Sequence, residues 1–248
     1  FNFKNYLLNN TAINTNSDTE ISVAEAQAFT GTISATGLGI TDLTGIEAFV
    51  SITTLELYSN SLTSIDVSNN TNLTRLHCAD NQITQLDVSN IPSLNQVHCQ
   101  NNQLEELNIA NGQGAAFTYM KSYNNPNLTC IQVDAGTVPP DNVGLYDVGW
   151  TRDLETRVVE DCSISVTYVT IPDANFKFYL VGNNTINTDY DQEISVAEAQ
   201  AVTGVLDVSS LAISDLTGIE AFINLTELDC SDNTIAALDV STITGLTN

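Results

Sequence analysis

The stretch NLTRLHCADNQITQLDVSNIPSLNQVHCQNNQLEELNIAN, Asn72 to Asn111, decides the fold. Segments starting at Ile52, Leu73 and Leu94 carry apolar residues at the start and at +3, +5, +10, +13 and +15, a period of 21. Leu55, Leu57, Leu62, Ile65 and Val67 correspond to Leu76, Cys78, Ile83, Leu86 and Val88, and then to Val97, Cys99, Leu104, Leu107 and Ile109. An L-x-L-x-x-N-x-L core is what one coil of a solenoid requires, because a short strand points alternate residues inward. Asn60, Asn81 and Asn102 then fall where the chain turns, and buried amides stacked there can satisfy backbone groups left unpaired at the bend.

Outward from this core, a looser repeat precedes it at Ile33 to Phe49, and another follows at Phe117 with Met120, Ser122 and Asn125, its register disturbed by Pro126. On a larger scale, Asn2 to Arg75 aligns without gaps to Asn175 to Asn248 at a constant offset of 173, anchored by ISVAEAQA at Ile21 and Ile194 and by DLTGIEAF at Asp42 and Asp215. Self-similarity of that length reads as a tandem duplication. The second copy keeps the loose repeat and one full coil (Leu225, Leu228, Cys230, Asn233, Ile235, Leu238, Val240) and stops early in the next. Because a solenoid cut there bares apolar faces and a sheet edge, a longer native chain is expected, extended at the front as well.

The expected fold is an α/β-type repeat solenoid, mostly β: a leucine-rich-repeat parallel-sheet solenoid with a helix-loop-helix N-terminal cap, tandemly duplicated with the second copy truncated. Its expected parts are a helical cap at 1–29, repeats at 30–127, a C-terminal cap at 128–165, a second helical cap at 166–202 and a truncated array at 203–248. With repeats reading NLTRLHCADNQITQLDVSN, a preceding DLTGIEAF and an opening segment like IPDANFKFYL, the chain resembles secreted leucine-rich-repeat proteins of Bacteroidetes, related to internalin-type repeats. That resemblance implies an extracellular recognition or adhesion part of a larger protein.

Thirty acidic against six basic residues give a formal net charge of −24, which disfavours nucleic acid and anionic membrane surfaces as partners and favours divalent cations. No apolar run reaches the roughly 18 residues of a membrane span. Scarce lysine with abundant Asn, Thr and Ser leans to a secreted or surface location.

The sharpest chemical signal runs from Asn187 to Glu198 and fits a twelve-residue calcium loop of EF-hand type. Asn187, Asp189, Asp191, Ser195 and Glu198 supply oxygens at positions 1, 3, 5, 9 and 12, and Glu193 at position 7 offers its backbone carbonyl. The first copy repeats the scheme with Asn14, Asn16, Asp18, Glu20, Ser22 and Glu25. Position 6 departs, with Thr19 and Gln192 where the sharp turn wants glycine, at a cost on the order of 1 kcal/mol if φ is positive. Three side-chain charges in the second loop against two in the first predict tighter binding by the second, with up to two sites in all. The competing reading is a helix-capping loop in which Ser22 or Ser195 and the downstream glutamate only start the next helix.

Cys78, Cys99 and Cys230 share the inward +5 slot and read as free core thiols. Cys130 and Cys162 bracket a segment with Pro139, Pro140 and Trp150 in which no repeat is visible; a disulfide between them would staple a cap onto the first solenoid and imply an oxidising compartment.

Strand alternation turns the +2, +4 and +6 positions outward. These columns hold Thr54, Arg75, Gln96 and Tyr119; Glu56, His77, His98 and Lys121; and Tyr58, Ala79, Gln100 and Tyr123. Both histidines of the chain therefore stack on neighbouring strands beside tyrosines and two of the six basic residues, a face suited to a glycan or an acidic peptide, or else an ordinary solvated sheet face. Glu56, His77 and His98 offer zinc only part of a shell. No phosphate-binding loop, nucleophile elbow or zinc-protease motif is present, and the neighbouring Glu105 and Glu106 read as solvated charge. A non-enzymatic binding or adhesion module for an extracellular protein or glycan is the leading expectation, beside an accessory sugar-binding segment of a larger secreted enzyme and a structural spacer.

Overall fold

The structure, a computed structural model, describes residues 2–113, 117–137 and 149–247. Pro139, Pro140, Phe1 and Asn248 lie outside them. The chain divides into two compact units, 1–162 and 163–248.

Unit 1 opens with helix α1 (Asn2–Asn9) and the short helix α2 (Val23–Ala28), which bury Phe3, Leu7 and Ala26 against the first coil. Strands β1 (Gly31–Ser34), β2 (Ile52–Glu56), β3 (Arg75–His77), β5 (Gln96–His98), β7 (Tyr119–Lys121) and β9 (Trp150–Thr151) form a parallel sheet in that order. The register aligns Leu55, Leu76, Val97, Met120 and Trp150. Each of these side chains is buried, and each contributes roughly 1.5–3 kcal/mol of apolar burial. Within the strands the repeat works as read: offsets +3 and +5 fill the core, and +2 and +4 line the opposite face.

The asparagine column closes every coil against the one before it. Asn81 Oδ1 accepts from the Leu62 amide and Asn102 Oδ1 from the Ile83 amide, both at 3.0 Å, while the two side-chain amides donate to the Leu57 and Cys78 carbonyls one coil back. Asn125 continues the ladder by accepting from the Leu104 amide, so Pro126 does not interrupt it. One residue earlier in each turn, Ser59, Asp80, Asn101 and Asn124 hold left-handed backbone at φ between 56° and 58°, which Asn and Asp tolerate best after glycine. Their side chains form an outer ladder, Asn124 donating to Asn101 and Asn101 to Asp80. Asp153 ends it by accepting from the Asn124 and Asn125 amides.

A second parallel sheet, absent from the sequence reading, runs along another side of the coils: β4 (Gln85–Asp87), β6 (Glu106–Asn108), β8 (Cys130–Gln132) and β10 (Arg157–Val159), ordered β10-β8-β6-β4. The segment bracketed by Cys130 and Cys162, in which no repeat was visible, accordingly supplies strands to both sheets, with Trp150 and Val158 in core positions. Cys130 and Cys162 are joined by a disulfide that ties β8 to the chain just beyond β10.

Unit 2 repeats the beginning of unit 1: α3 (Ala174–Val181), α4 (Val196–Ala201), β11 (Gly204–Asp207) and β12 (Leu225–Asp229), the two strands pairing in parallel. Asp173 caps α3 by accepting from the Asn175 and Phe176 amides, and its other oxygen accepts from Ser214 Oγ and the Ser214 and Asp215 amides, which clamps the helical cap to the first coil. Gly218 sits at φ 104°, where an added Cβ would stand 2.9 Å from the Thr170 carbonyl and Ile171, so backbone freedom and close approach both require glycine there. Asn233 serves as its ladder residue, accepting from the Ile213 amide. With β11 as the strand paired to β12, Cys230 and Ile235 stay half-buried and Leu238 is exposed, unlike the fully buried Leu57 and Leu62 at the corresponding positions of unit 1.

Candidate functional site

The sheet of unit 1 brings the predicted outward residues together in register: Thr54, Arg75, Gln96 and Tyr119 in one row, and Glu56, His77, His98 and Lys121 in the next. The imidazoles of His77 and His98 stack with centroids 4.0 Å apart and planes 6° from parallel. Tyr119 leans on His98 at 5.1 Å, and Lys121 Nζ lies 5.4 Å from the centre of the Tyr119 ring, within cation–π range. Arg75 Nε donates to Gln96 Oε1 at 2.8 Å, and Glu56 accepts from Ser34 Oγ. In the +6 row Tyr58 is exposed and Gln100 and Tyr123 are partly so, whereas Ala79 is buried because its single methyl lies below the level of its long neighbours.

Burial sets the charge of this row. It pushes His98 down to about 3, helped by His77, Lys121 and Arg75, and it lowers His77 with Arg75, Glu56 opposing. Both rings are therefore neutral near pH 7. His77 Nε2, His98 Nε2 and Gln100 Oε1 are shielded polar atoms without a hydrogen-bond partner among the described residues. Zinc is not served by the geometry, since parallel rings aim their lone pairs side by side instead of at a common point. Among the described residues no group of three or more His, Cys, Asp or Glu is placed to hold a metal ion.

In the cap loops the glutamates at position 12 act on the backbone. Glu25 accepts from the Thr15 and Asn16 amides with one oxygen and from the Ser22 amide and hydroxyl with the other, and Ser22 returns the bond to complete a capping box. The Ser22 bonds above all hold this carboxyl at about 2. Glu198 repeats the pattern with Thr188, Asp189 and Ser195. Positive φ falls at Ser17 and Tyr190, position 4 of each loop, not at Thr19 or Gln192; the turn expected at position 6 is made two residues earlier, which removes the strain anticipated there. Glu20 and Glu193 pair with Lys4 and Lys177.

The loops differ in what remains for a cation. Asn14 and Asn187 donate across their loops to the Asp18 and Asp191 carbonyls, and each keeps a buried Oδ1 with no partner among the described residues. In the first loop Asn16, Asp18, Glu20 and Ser22 are exposed and Glu25 is half-buried, whereas in the second Asp189, Asp191, Ser195 and Glu198 are buried. The second loop is covered by residues 167–169, whose backbone bonds to Ile194 and Val196 while Tyr168 donates to Asp191. Burial, opposed by the bonds from Glu193 and Tyr168 and reinforced by Glu198 and Glu193, raises the Asp191 carboxyl. In the second loop the uncommitted Asn187 Oδ1 lies among buried carboxylates, the kind of oxygen donors a hard cation takes, whereas in the first the equivalent Asn14 Oδ1 lies among carboxylates that are exposed or half-buried.

Parallel coils closed by an inward asparagine ladder define the class: each unit is a leucine-rich-repeat solenoid. A family model described as the leucine-rich-repeat domain of the endo-β-N-acetylglucosaminidase EndoS matches residues 13–123. Among solved structures, the functional domain of InlJ from Listeria monocytogenes is 23% identical with a TM-score of 0.41, covering 99% of this chain and 50% of that one. Internalin InlF from the same organism is 17% identical (TM-score 0.38, 95% and 71% covered), and internalin C2 is 19% identical (TM-score 0.35, 98% and 89% covered). The chain thus spans half the length of the InlJ chain it matches. A search of curated protein sequences finds no match.

Proposed function

We infer that the chain is a non-enzymatic recognition module of an extracellular protein, secreted or displayed at the cell surface as the resemblance to Bacteroidetes proteins implies, and that it holds a protein or glycan on the exposed face of the six-stranded sheet. One observation carries this: the row of His77, His98, Tyr119 and Lys121, with three shielded polar atoms unpartnered by the described residues. Buried polar groups are ordinarily paired, so such a row on an accessible face is built for a partner. The Cys130–Cys162 disulfide supports an oxidising location, and no helix among the described residues is long and apolar enough to cross a membrane. The test is a ligand screen with purified extracellular proteins and oligosaccharides, repeated with His77→Ala/His98→Ala. A ligand held equally by this variant would refute the face as the site.

A calcium ion in the second cap loop belongs to the same proposal, with Asn187 Oδ1, Asp189 and Asp191 as its side-chain ligands, the Glu193 carbonyl as a further donor, and Glu198 holding the loop backbone in place. Bound there, the ion neutralises buried carboxylate charge and fixes the cap; it takes no part in recognition. The description of the matching family model favours a second reading, an accessory binding segment of a larger glycan-processing enzyme. A catalytic domain encoded in the same gene would support it.

A further inference from the structure

We propose that the exposed face of the six-stranded sheet takes a neutral, hydroxyl-rich linear glycan laid across strands β3, β5 and β7; this rests on the reading of that face as the binding surface. The atoms without partners set the ligand's chemistry. Gln100 Oε1 is an acceptor and needs a donor. His77 Nε2 and His98 Nε2 each need a donor or an acceptor according to which ring nitrogen carries the proton, and a hydroxyl supplies either. A carboxylate or phosphate offers acceptors only and leaves Gln100 unsatisfied.

The charges nearby point the same way. The two rings stacked at 4.0 Å would repel each other if protonated, and burial keeps both neutral, so the centre of the strip carries no cation to attract an anion. The two nearby cations stand beside the pair and not at its centre, Arg75 Nε bonded to Gln96 and Lys121 over the face of Tyr119. Tyr58, 44% exposed, and Tyr119 present ring surface for the apolar face of a sugar. Neighbouring strands stand about 4.8 Å apart, so a chain running across them meets like side chains in successive coils. Because the imidazoles rise from the outward face, what shields their Nε2 atoms is the other side chains of that face, and partly exposed side chains change rotamer in nanoseconds.

The experiment is calorimetry of the whole chain against cellohexaose, xylohexaose, mannohexaose and chitohexaose, beside oligogalacturonate and an oligo-glutamate peptide, at pH 5.5 and 7.5. At least one neutral oligosaccharide is expected to bind at pH 7.5, where both rings are neutral. His77→Ala/His98→Ala is expected to weaken it roughly tenfold or more and Tyr119→Ala to weaken it as well. Glu106→Ala on the other sheet should leave it unchanged, and unaltered Trp150 emission should certify each variant's fold. Failure of every neutral oligosaccharide, or binding of the anionic probes alone, overturns the glycan proposal. If in that case a protein or anionic ligand is still lost in His77→Ala/His98→Ala, the face stands as the site. A neutral oligosaccharide that binds unaffected by these substitutions overturns both.

Discussion

Replacing Asn102 by alanine tests the ladder that holds the coils together. The side chain is 1% exposed; its Oδ1 accepts from the Ile83 amide, and its Nδ2 donates to the Cys78 and Cys99 carbonyls, all at 3.0 Å. The two carbonyls are also reached by Asn81 and Asn125, so the ladder's overlap spares them, and the group left without its partner is the Ile83 N–H. Stranding a buried donor costs about 1–3 kcal/mol and each of the two further lost bonds about 0.5–1.5 kcal/mol, for a total of about 2–6 kcal/mol. Asn102→Asp keeps the acceptor for Ile83 but turns a carboxylate toward two carbonyl oxygens. Its folded pKa must rise, so this variant loses stability as pH climbs through the ordinary carboxylate range and regains it in acid. Urea unfolding followed by Trp150 reads unit 1 alone, because Trp150 is the chain's one tryptophan, 2% exposed and bonded to the Phe117 carbonyl. An Asn102→Ala cost below about 1 kcal/mol would refute the ladder argument.

Reduction of the Cys130–Cys162 bridge, which spans 32 residues, should lower unit 1 stability by about 3–4 kcal/mol in the loop-entropy picture, read as a shifted Trp150 urea midpoint with and without reductant. His98 should stay neutral from pH 8 to pH 6 in imidazole NMR, and His77 should titrate below a free histidine; since the folded pKa values lie below the unfolded one, their contribution is present above about 6.5 and declines as pH falls, toward about 3 for His98. Glu25, held at about 2 by its cap bonds, stabilises the first helical cap above the ordinary carboxylate range, and that support is lost as pH falls through about 2; amide exchange of residues 15–25 follows the loss. Calorimetry of calcium-stripped chain should find one site, weakened by Asp191→Asn and untouched by Asp18→Asn; no heat from the unmodified chain would remove the ion.

The period of 21 from Ile52 to Ile109 made the coils, their core and their asparagine ladder legible, because every slot is filled by residues whose burial the strand geometry dictates. The second sheet was not, since strands such as Gln85–Asp87 and Glu106–Asn108 put a single residue inward and three residues are too few to show alternation. Nor were the last coils: the partners of Val97, Met120 and Trp150 in one sheet stand 23 and then 30 residues apart, and a stretching period hides the repeat. The stacking of the two histidines followed from column position, but their neutrality did not, because it depends on burial. In the cap loops the oxygen pattern was equally compatible with ligation and capping; the use of Glu25 and Glu198 on backbone amides, and the covering of the second loop by Tyr168, arise from contacts up to 23 residues apart.

His77 and His98 are the chain's two histidines, so their imidazole signals report occupancy of the proposed face without any substitution. In a long-range proton–nitrogen spectrum recorded while a ligand identified by the screen is titrated in, both rings should move in step with saturation and keep their neutral pattern. A ligand that saturates the chain while both imidazoles hold their free positions would contradict the assignment of the sheet face as the recognition surface.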